Sequence, residues 1–430
     1  MRFATFSALA TSLLLAACGD DSTTAGGGGE GGGAGGGGGG RGGGGGGDVT
    51  LPELEEGWTE LAPGGDTLCS RGTDYAFWVR KGTTNKVVID FIGGGACWND
   101  LTCSVAGAIF EEDVESVRQA VESGEGAGIY DDTNEANPFK DYYHVIIPYC
   151  TGDIHWGNND VTYGEGEGAF TIHHRGAVNA RAVLDWVYES FSAPEEILVT
   201  GCSAGSYGSA LWSAHVMEHY PESKVFQLGD SGAGIITQTF FEESFPSWNA
   251  EEAFPTWIPA LDPENVNILE MALTDLYLGV ANYYPNQRFS QFNTAFDENQ
   301  TFYFEVMGGS GPEEWSQLMH ASVAEIEAGA ENFGSFIAPD FKHCIIPYDE
   351  FYSVSVGETS LIEWITASQA GPGIESVKCE GAACGAPAGA LTLAAPHFAQ
   401  ATTQRKPFSL QLERHERSFC LQPRAQVIEP

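Results

Sequence analysis

Positive charge is scarce in this chain. Its 430 residues include 19 Lys and Arg against 59 Asp and Glu, a formal net charge of −40. A protein that grips nucleic acid needs a basic face, so nucleic acid is not an expected partner. A polyanionic ligand would be repelled at long range as well, although salt screens that repulsion beyond roughly 8–10 Å. Long apolar runs are missing too. The stretch from Phe3 to Ala17 is too short and too interrupted for a good membrane span. Paired cysteine knuckles are absent. The spacings Cys97-x5-Cys103 and Cys379-x4-Cys384 do not fit a structural zinc site, and neither a metal nor a cofactor is expected. No internal repeat is visible.

The N-terminus reads as an export signal. Residues 1 to 18 have a basic start at Arg2, a short apolar run and small residues before Cys18. Leu15-Ala16-Ala17-Cys18 resembles a bacterial lipobox, so Cys18 is expected to carry a lipid, with ordinary cleavage as the alternative. Gly19 after it favours the outer membrane or cell surface. Residues 19 to 48 are almost all glycine and polar, with nothing apolar to bury. They are expected to form a disordered tether reaching roughly 30 Å, from about 5–6 Å per root residue. Residues 49 to 385 are expected to fold, since 42% hydrophobic and 12% aromatic residues are globular values. Residues 386 to 430 change character. They hold Arg405, Lys406, Arg414, Arg417 and Arg424 without a clear period and are assigned no function.

Ten cysteines in an exported chain suggest disulfides, one cysteine being Cys18. Cys97 and Cys103 are near enough to close a small loop. Cys69, Cys150, Cys344, Cys379 and Cys384 are further candidates, with connectivity open.

Strand and helix patterns alternate. Residues 86 to 92 and 143 to 149 read as strands. Residues 173 to 192 place Val178, Ala182, Val183, Trp186 and Val187 at helical spacing. Then come a strand from Ile197 to Thr200, a helix from about Tyr207 to His219 stopped by Pro221, and a strand from Lys224 to Leu228. This alternation predicts an α/β fold whose mostly parallel central sheet is flanked by helices. Ligands bind beyond the C-terminal ends of such strands. Residues 245 to 290, rich in aromatics and proline, are expected to form a helical and loop cap over that end.

Two strand ends carry the chemistry. The first is ILVTGCSAGSYGS, where Ser203 sits on a corner between Gly201 and Gly205. It is either an ordinary turn or the G-x-S-x-G elbow that lifts a nucleophile above a sheet. The flanking strand and helix favour the elbow, and the N–H of Ala204 could then face a developing oxyanion. The second is FIGGGACWND, where Gly94 and Gly95 can bring backbone N–H groups close to a substrate and Trp98 can wall a pocket. No Lys-Ser/Thr follows these glycines and no G-x-G-x-x-G opens a helix, which argues against a phosphate loop.

A base and an acid should follow the serine in the chain. His215 and His219 lie on the helix after the elbow, His320 in a helix-like run, and His397 and His415 in the atypical tail. His343, in a loop after a strand-like run, is the expected base. For the acid, Asp297 is flanked by aromatics that would bury it against a partner. Asp230 is the runner-up and could instead hold backbone N–H groups near the site. Asp340 and Asp349 lie too close to His343 in sequence.

The blocks IGGGACWNDLTC, IPYCTGDIHWGN, GCSAGS, DSGAG, AFDENQ and DFKHCIIP, in this order over roughly residues 55 to 385, resemble the pectin acetylesterase family, which includes the Notum-type carboxylesterases. The resemblance implies an α/β-hydrolase-like fold and metal-independent hydrolysis of carboxylic esters. It implies Ser203 as nucleophile, Asp297 as acid and His343 as base. Gly94, Gly95 and Ala204 would supply the oxyanion N–H groups, and Cys97–Cys103 would match a small family disulfide. Ala96 stands where the family often has Trp or Tyr, and Ser206-Tyr207 where plant members commonly have another glycine, so Trp98 and Tyr207 belong to a pocket whose acyl preference is open. The expected partner is an acylated carbohydrate or other small ester, met by a monomer outside the cytoplasm. The alternative is a surface lipoprotein that binds glycan without chemistry, which ten Trp and 15 Tyr would permit.

Overall fold

A computed structural model of the chain describes residues 51–387 except 105–108, 125 and 371–374. The signal segment, Cys18, the glycine tether and the tail after 387 lie outside the described residues. The strands are β1 (Trp58–Leu61), β2 (Phe77–Arg80), β3 (Lys86–Phe91), β4 (Tyr143–Ile147), β5 (Asn159–Tyr163), β6 (Phe170–His174), β7 (Glu196–Cys202), β8 (Lys224–Asp230), β9 (Arg288–Thr294), β10 (Phe333–Ala338), β11 (Ser355–Val356), β12 (Thr359–Ser360) and β13 (Val377–Lys378). The helices are α1 (Asp100–Ser104), α2 (Glu115–Ser123), α3 (Gly176–Ser190), α4 (Ala204–His219), α5 (Gln238–Trp248), α6 (Leu273–Tyr283), α7 (Glu298–Val306), α8 (Pro312–Gly329) and α9 (Leu361–Ala370).

Among the described residues, nine strands form one sheet in the order β1-β2-β4-β3-β7-β8-β9-β10-β13. Only β1–β2 and β2–β4 pair antiparallel; from β4 onward every pair is parallel. Parallel strands are covered on both faces and so read as continuous apolar runs rather than as alternation. That is the pattern of Val87, Val88, Ile89 in β3 and Ile197, Leu198, Val199 in β7, all buried. The chain goes from β3 to β4 on one side and returns to β7 on the other. The ends of β3 and β7 therefore mark a point where strand order reverses, the place where α/β sheets form a crevice.

The expected alternation holds, with two local differences. The helix expected from 173 begins only at Gly176, because His173 and His174 belong to the β5–β6 hairpin, paired with Asp160 and Asn159. Arg175 cannot cap the helix; the N–H of Gly176 donates instead to the buried carboxylate of Asp153, 2.7 Å away. Strand β9 was hidden by Ser290, Gln291 and Asn293, polar residues that are buried here with partners of their own. The cap expected over 245 to 290 is displaced: no residue of that segment lines the cavity at the strand ends, which is reached instead by Phe240 near the start of α5, while α6 packs beside α4, α8 and β9 as a flanking helix.

The elbow depends on missing side chains. A Cβ on Gly201 would collide with the carbonyl oxygens of Phe91 and Gly205, and one on Gly205 with the carbonyl of Phe91. Backbone atoms cannot rotate away, so Gly205→Ala should lose stability by about 1–3 kcal/mol or more. Urea unfolding of that variant beside wild type measures it; equal midpoints would show that the end of β3 does not press on α4.

Candidate functional site

Ser203 links the last residue of β7 to the first of α4 and has φ +57°, ψ −123°. A non-glycine residue there is rare, and such strain persists only where the surroundings leave no alternative. Its N–H donates to the carbonyl of Asp230 at the end of β8, 2.8 Å away. The neighbouring Gly93 leaves room for the serine, since a Cβ there would come within 2.9 Å of the Ser203 Cβ. Ala204 opens α4, so its N–H has no carbonyl four residues back within the helix.

Asp297 and His343 come from neighbouring loops after β9 and β10. These loops run side by side, with the N–H of Phe296 on the Asp340 carbonyl and that of Glu298 on Phe341, both at 3.0 Å. Asp297 is fully buried and caps α7, accepting from the N–H groups of Asn299 (3.0 Å) and Gln300 (2.9 Å) and from Gln300 Nε2 (3.0 Å). His343 Nδ1 lies 2.9 Å from each Asp297 oxygen. That contact places the proton on Nδ1 and leaves Nε2 as the basic nitrogen. Nε2 is buried and has no hydrogen-bond partner.

Burial pulls the His343 pKa down, but attraction to Asp297, the hydrogen bond to it, and the charges of Asp230 and Glu298 together raise it above the ordinary value. His155, His174 and His215 go the other way, pushed down to about 4 chiefly by burial. They are structural. His155 Nε2 meets the Ile92 carbonyl and His215 Nε2 the Ala253 carbonyl, each at 2.9 Å.

Ser203, Ala204, Gly95, Trp98, Tyr207 and His343 line one cavity of about 610 Å³, counted out to its open mouth. Asp297 stands behind His343. Gly94 is not among the lining residues; its carbonyl accepts from the Glu111 N–H, and its Cα hydrogens face Tyr149 and Glu111. Trp98 packs edge-on against Phe240, with ring centres 4.8 Å apart. Most of the other walls are apolar: Ala96, Ile154, Ile235, Ile236, Met307 and Trp315. Sequence reasoning missed these, and also Gln300 and Tyr303. A signal existed, since 300, 303 and 307 recur at helical spacing after Asp297.

Asp230 plays a different part from Asp297. It is buried, accepts from the N–H groups of Ile345 (2.7 Å) and Ile346 (2.9 Å), and does not touch the imidazole nitrogens through any hydrogen bond. Burial lifts its pKa to about 6 against the opposing pull of those donors. Among the described residues four disulfides form: Cys69–Cys150, Cys97–Cys103, Cys202–Cys344 and Cys379–Cys384. They belong to a protein of an oxidising compartment. Cys202 was not foreseen as a partner, because it reads as part of the serine turn. No helix of the described residues is long and apolar enough to cross a membrane.

Residues 61–252 match the family model of pectinacetylesterase. Over that stretch, which is less than half of the chain, the protein is similar to pectinacetylesterases. The match includes Gly95, Trp98, Ser203 and Tyr207 but ends before Asp297 and His343. A palmitoleoyl-protein carboxylesterase NOTUM of Schmidtea mediterranea is 29% identical over 149 residues, which are 33% of this chain. The chain spans 27% of that relative's length. Two crystal forms of the Wnt deacylase Notum from Drosophila superpose with TM-scores of 0.53 and 0.51. They cover 70% and 71% of this chain and 90% and 89% of theirs, at 18% and 17% identity. Identity that low carries the fold alone, and the fold is α/β-hydrolase-like.

The His343–Asp297 contact can be tested without any substrate. An NMR titration should give His343 a midpoint above the ordinary 6.5. In Asp297→Asn the attraction goes while burial remains, so the midpoint should fall. An unmoved midpoint would mean that the carboxylate does not set the charge of this ring.

Proposed function

We propose that the chain is a serine carboxylesterase working outside the cytoplasm. The observation that carries this reading is His343, bound through Nδ1 to Asp297 while its buried, unpartnered Nε2 belongs to a residue on the same cavity as Ser203. In this reading Ser203 Oγ attacks the ester carbonyl as His343 Nε2 takes its proton. N–H groups of Gly95 and Ala204, both on the cavity wall, stabilise the oxyanion, each such donor typically worth about 3–4 kcal/mol; Gly94, which does not line the cavity, is left out of this role. Asp297 holds the ring and stabilises its charged form. His343 then protonates the departing alcohol, and water, activated in the same way, releases the acyl group.

The family description favours an acetyl group on a polysaccharide such as pectin as the substrate, met by a monomer held at the cell surface through a lipid on Cys18. The formal charge of −40 works against a uronate chain, which leaves acetylated neutral glycans open. A longer acyl chain is the second reading. It is favoured by the walls of the cavity, where Trp98, Ile154, Ile235, Phe240, Met307 and Trp315 offer hydrocarbon rather than hydrogen bonds.

Purified protein and Ser203→Ala, assayed on chromogenic acetate, butyrate and octanoate esters, decide between these readings. Wild type should turn over, and the variant should fall by roughly 10⁶-fold in kcat. Rates that climb with acyl length would favour the longer chain. Inert wild-type protein that still binds glycan would instead support the non-catalytic lipoprotein.

A further inference from the structure

The residue before Ser203 is covalently joined to the residue after His343. Cys202 and Cys344 form a disulfide across a sequence separation of 142, with Cα atoms 5.7 Å apart, and both are buried. Cys344 has φ +61°, a left-handed conformation unusual for cysteine. Three hydrogen bonds fix the same backbone. The Cys344 N–H donates to Ser231 Oγ at 2.9 Å, and those of Ile345 and Ile346 donate to Asp230 Oδ2. Ser231 Oγ in turn donates to Asp230 Oδ1 at 3.0 Å. The pair also grips the other partner, since the Asp230 carbonyl accepts the Ser203 N–H. Ser231, itself at φ +55°, is fixed to the sheet through its N–H on the Phe292 carbonyl, 2.8 Å away.

We propose that the Cys202–Cys344 disulfide and the Asp230–Ser231 pair form a clamp that sets His343 in register with Ser203. Cys202, Cys344 and Asp230 are thus positioning residues of the reaction, and this rests on the serine-esterase reading above. The other buried carboxylate near the ring, Asp297, orients the imidazole from behind but does not hold the loop after it. A ring attached on one side only can swing about the Asp297 contact, and a shift of about 1 Å can cost about 10²-fold in rate.

A disulfide closing so long a loop stabilises the fold wherever it lies, so loss of stability alone does not test the clamp. The comparison that does is Cys202→Ala/Cys344→Ala against Cys69→Ala/Cys150→Ala, a second long-range disulfide whose cysteines do not line the cavity. The first double variant should lose about 10²-fold in kcat with KM little changed, because the apolar walls remain. The acid limb of its kcat/KM profile should move to lower pH as His343 leaves Asp297; the other charged groups near the ring are Asp230 at the end of β8 and Glu298 at the start of α7. The second double variant should keep the wild-type kcat, KM and profile. Asp230→Asn should repeat the kcat loss in part, with all disulfides intact.

If the first double variant is folded and its kcat and profile match wild type, the clamp is refuted. Should it fail to fold, the folded wild type is titrated with a phosphine reductant and alkylated, and the modified cysteines are mapped by mass spectrometry. Activity lost in step with alkylation of Cys202 and Cys344 supports the clamp; full activity with both alkylated overturns it. Turnover retained in Ser203→Ala would sink the esterase reading and the clamp together, whereas an inactive Ser203→Ala beside an unimpaired cysteine variant sinks the clamp alone.

Discussion

A serine held at φ +57° is the constraint on which the rest of this structure turns. Left to itself the turn would relax, since a side chain in that conformation is strained. It stays because every neighbour is already committed. Strand β7 is locked between β3 and β8 as far as Gly201, and Cys202 still pairs with Asp230 of β8. The first turn of α4 lies against the Phe91 carbonyl, at a distance only glycine allows. The serine N–H is tied to Asp230. The sheet's long parallel core thus supplies a rigidity that a serine on a free loop would lack, and the crevice at the strand reversal supplies the space in front of it.

Buried carboxylates do the work that local caps do elsewhere. Asp153 receives the first N–H of α3, Asp297 those of α7, and Asp230 those of the loop after His343. Each satisfies backbone donors that would be costly to bury alone. Burial raises the pKa of both Asp153 and Asp230 to about 6 from 3.8. The sign follows from linkage: a carboxyl whose folded pKa is raised binds more protons in the folded state. Stability therefore declines as pH climbs from 3.8 to about 6, and these two groups add no further cost above that. At neutral pH they are charged, desolvated and held by directed N–H groups, which ties the loops they anchor to one arrangement.

The parts of this architecture that were legible in the sequence are those with a local signature. Strands β3 and β7 announced themselves as apolar runs, the elbow as small residues around a serine, and the His343 loop as the residue left over after helical histidines were set aside. What could not be read depends on residues far apart. The start of α3 was misplaced because its cap is Asp153, 23 residues away. Strand β9 was not read as a strand because Gln291 and Asn293 carry polar side chains into the core. The cavity's walls come from six separate segments, and no single window of sequence contains them. Cys202 looked like a small residue of the turn, and only its distance from Cys344 gives it another meaning.

The division of the site along the chain explains why its two halves differ in legibility. The family match covers the half that holds the elbow and the glycine loop, and it stops short of Asp297 and His343. In the first half, function is written as short motifs because a backbone conformation is needed, and conformation constrains neighbours in sequence. In the second, the proposed chemistry needs only a carboxylate and an imidazole at a given place, and many loops could deliver them. Their place is set by contacts to the first half: Asp230 and Ser231 on the N–H groups after His343, and a disulfide from the elbow itself. The tolerance of one half is therefore bounded by the rigidity of the other. A loop that carried a histidine of the right chemistry, but lacked a cysteine beside it and N–H groups aimed at Asp230, would have no such tie to the elbow.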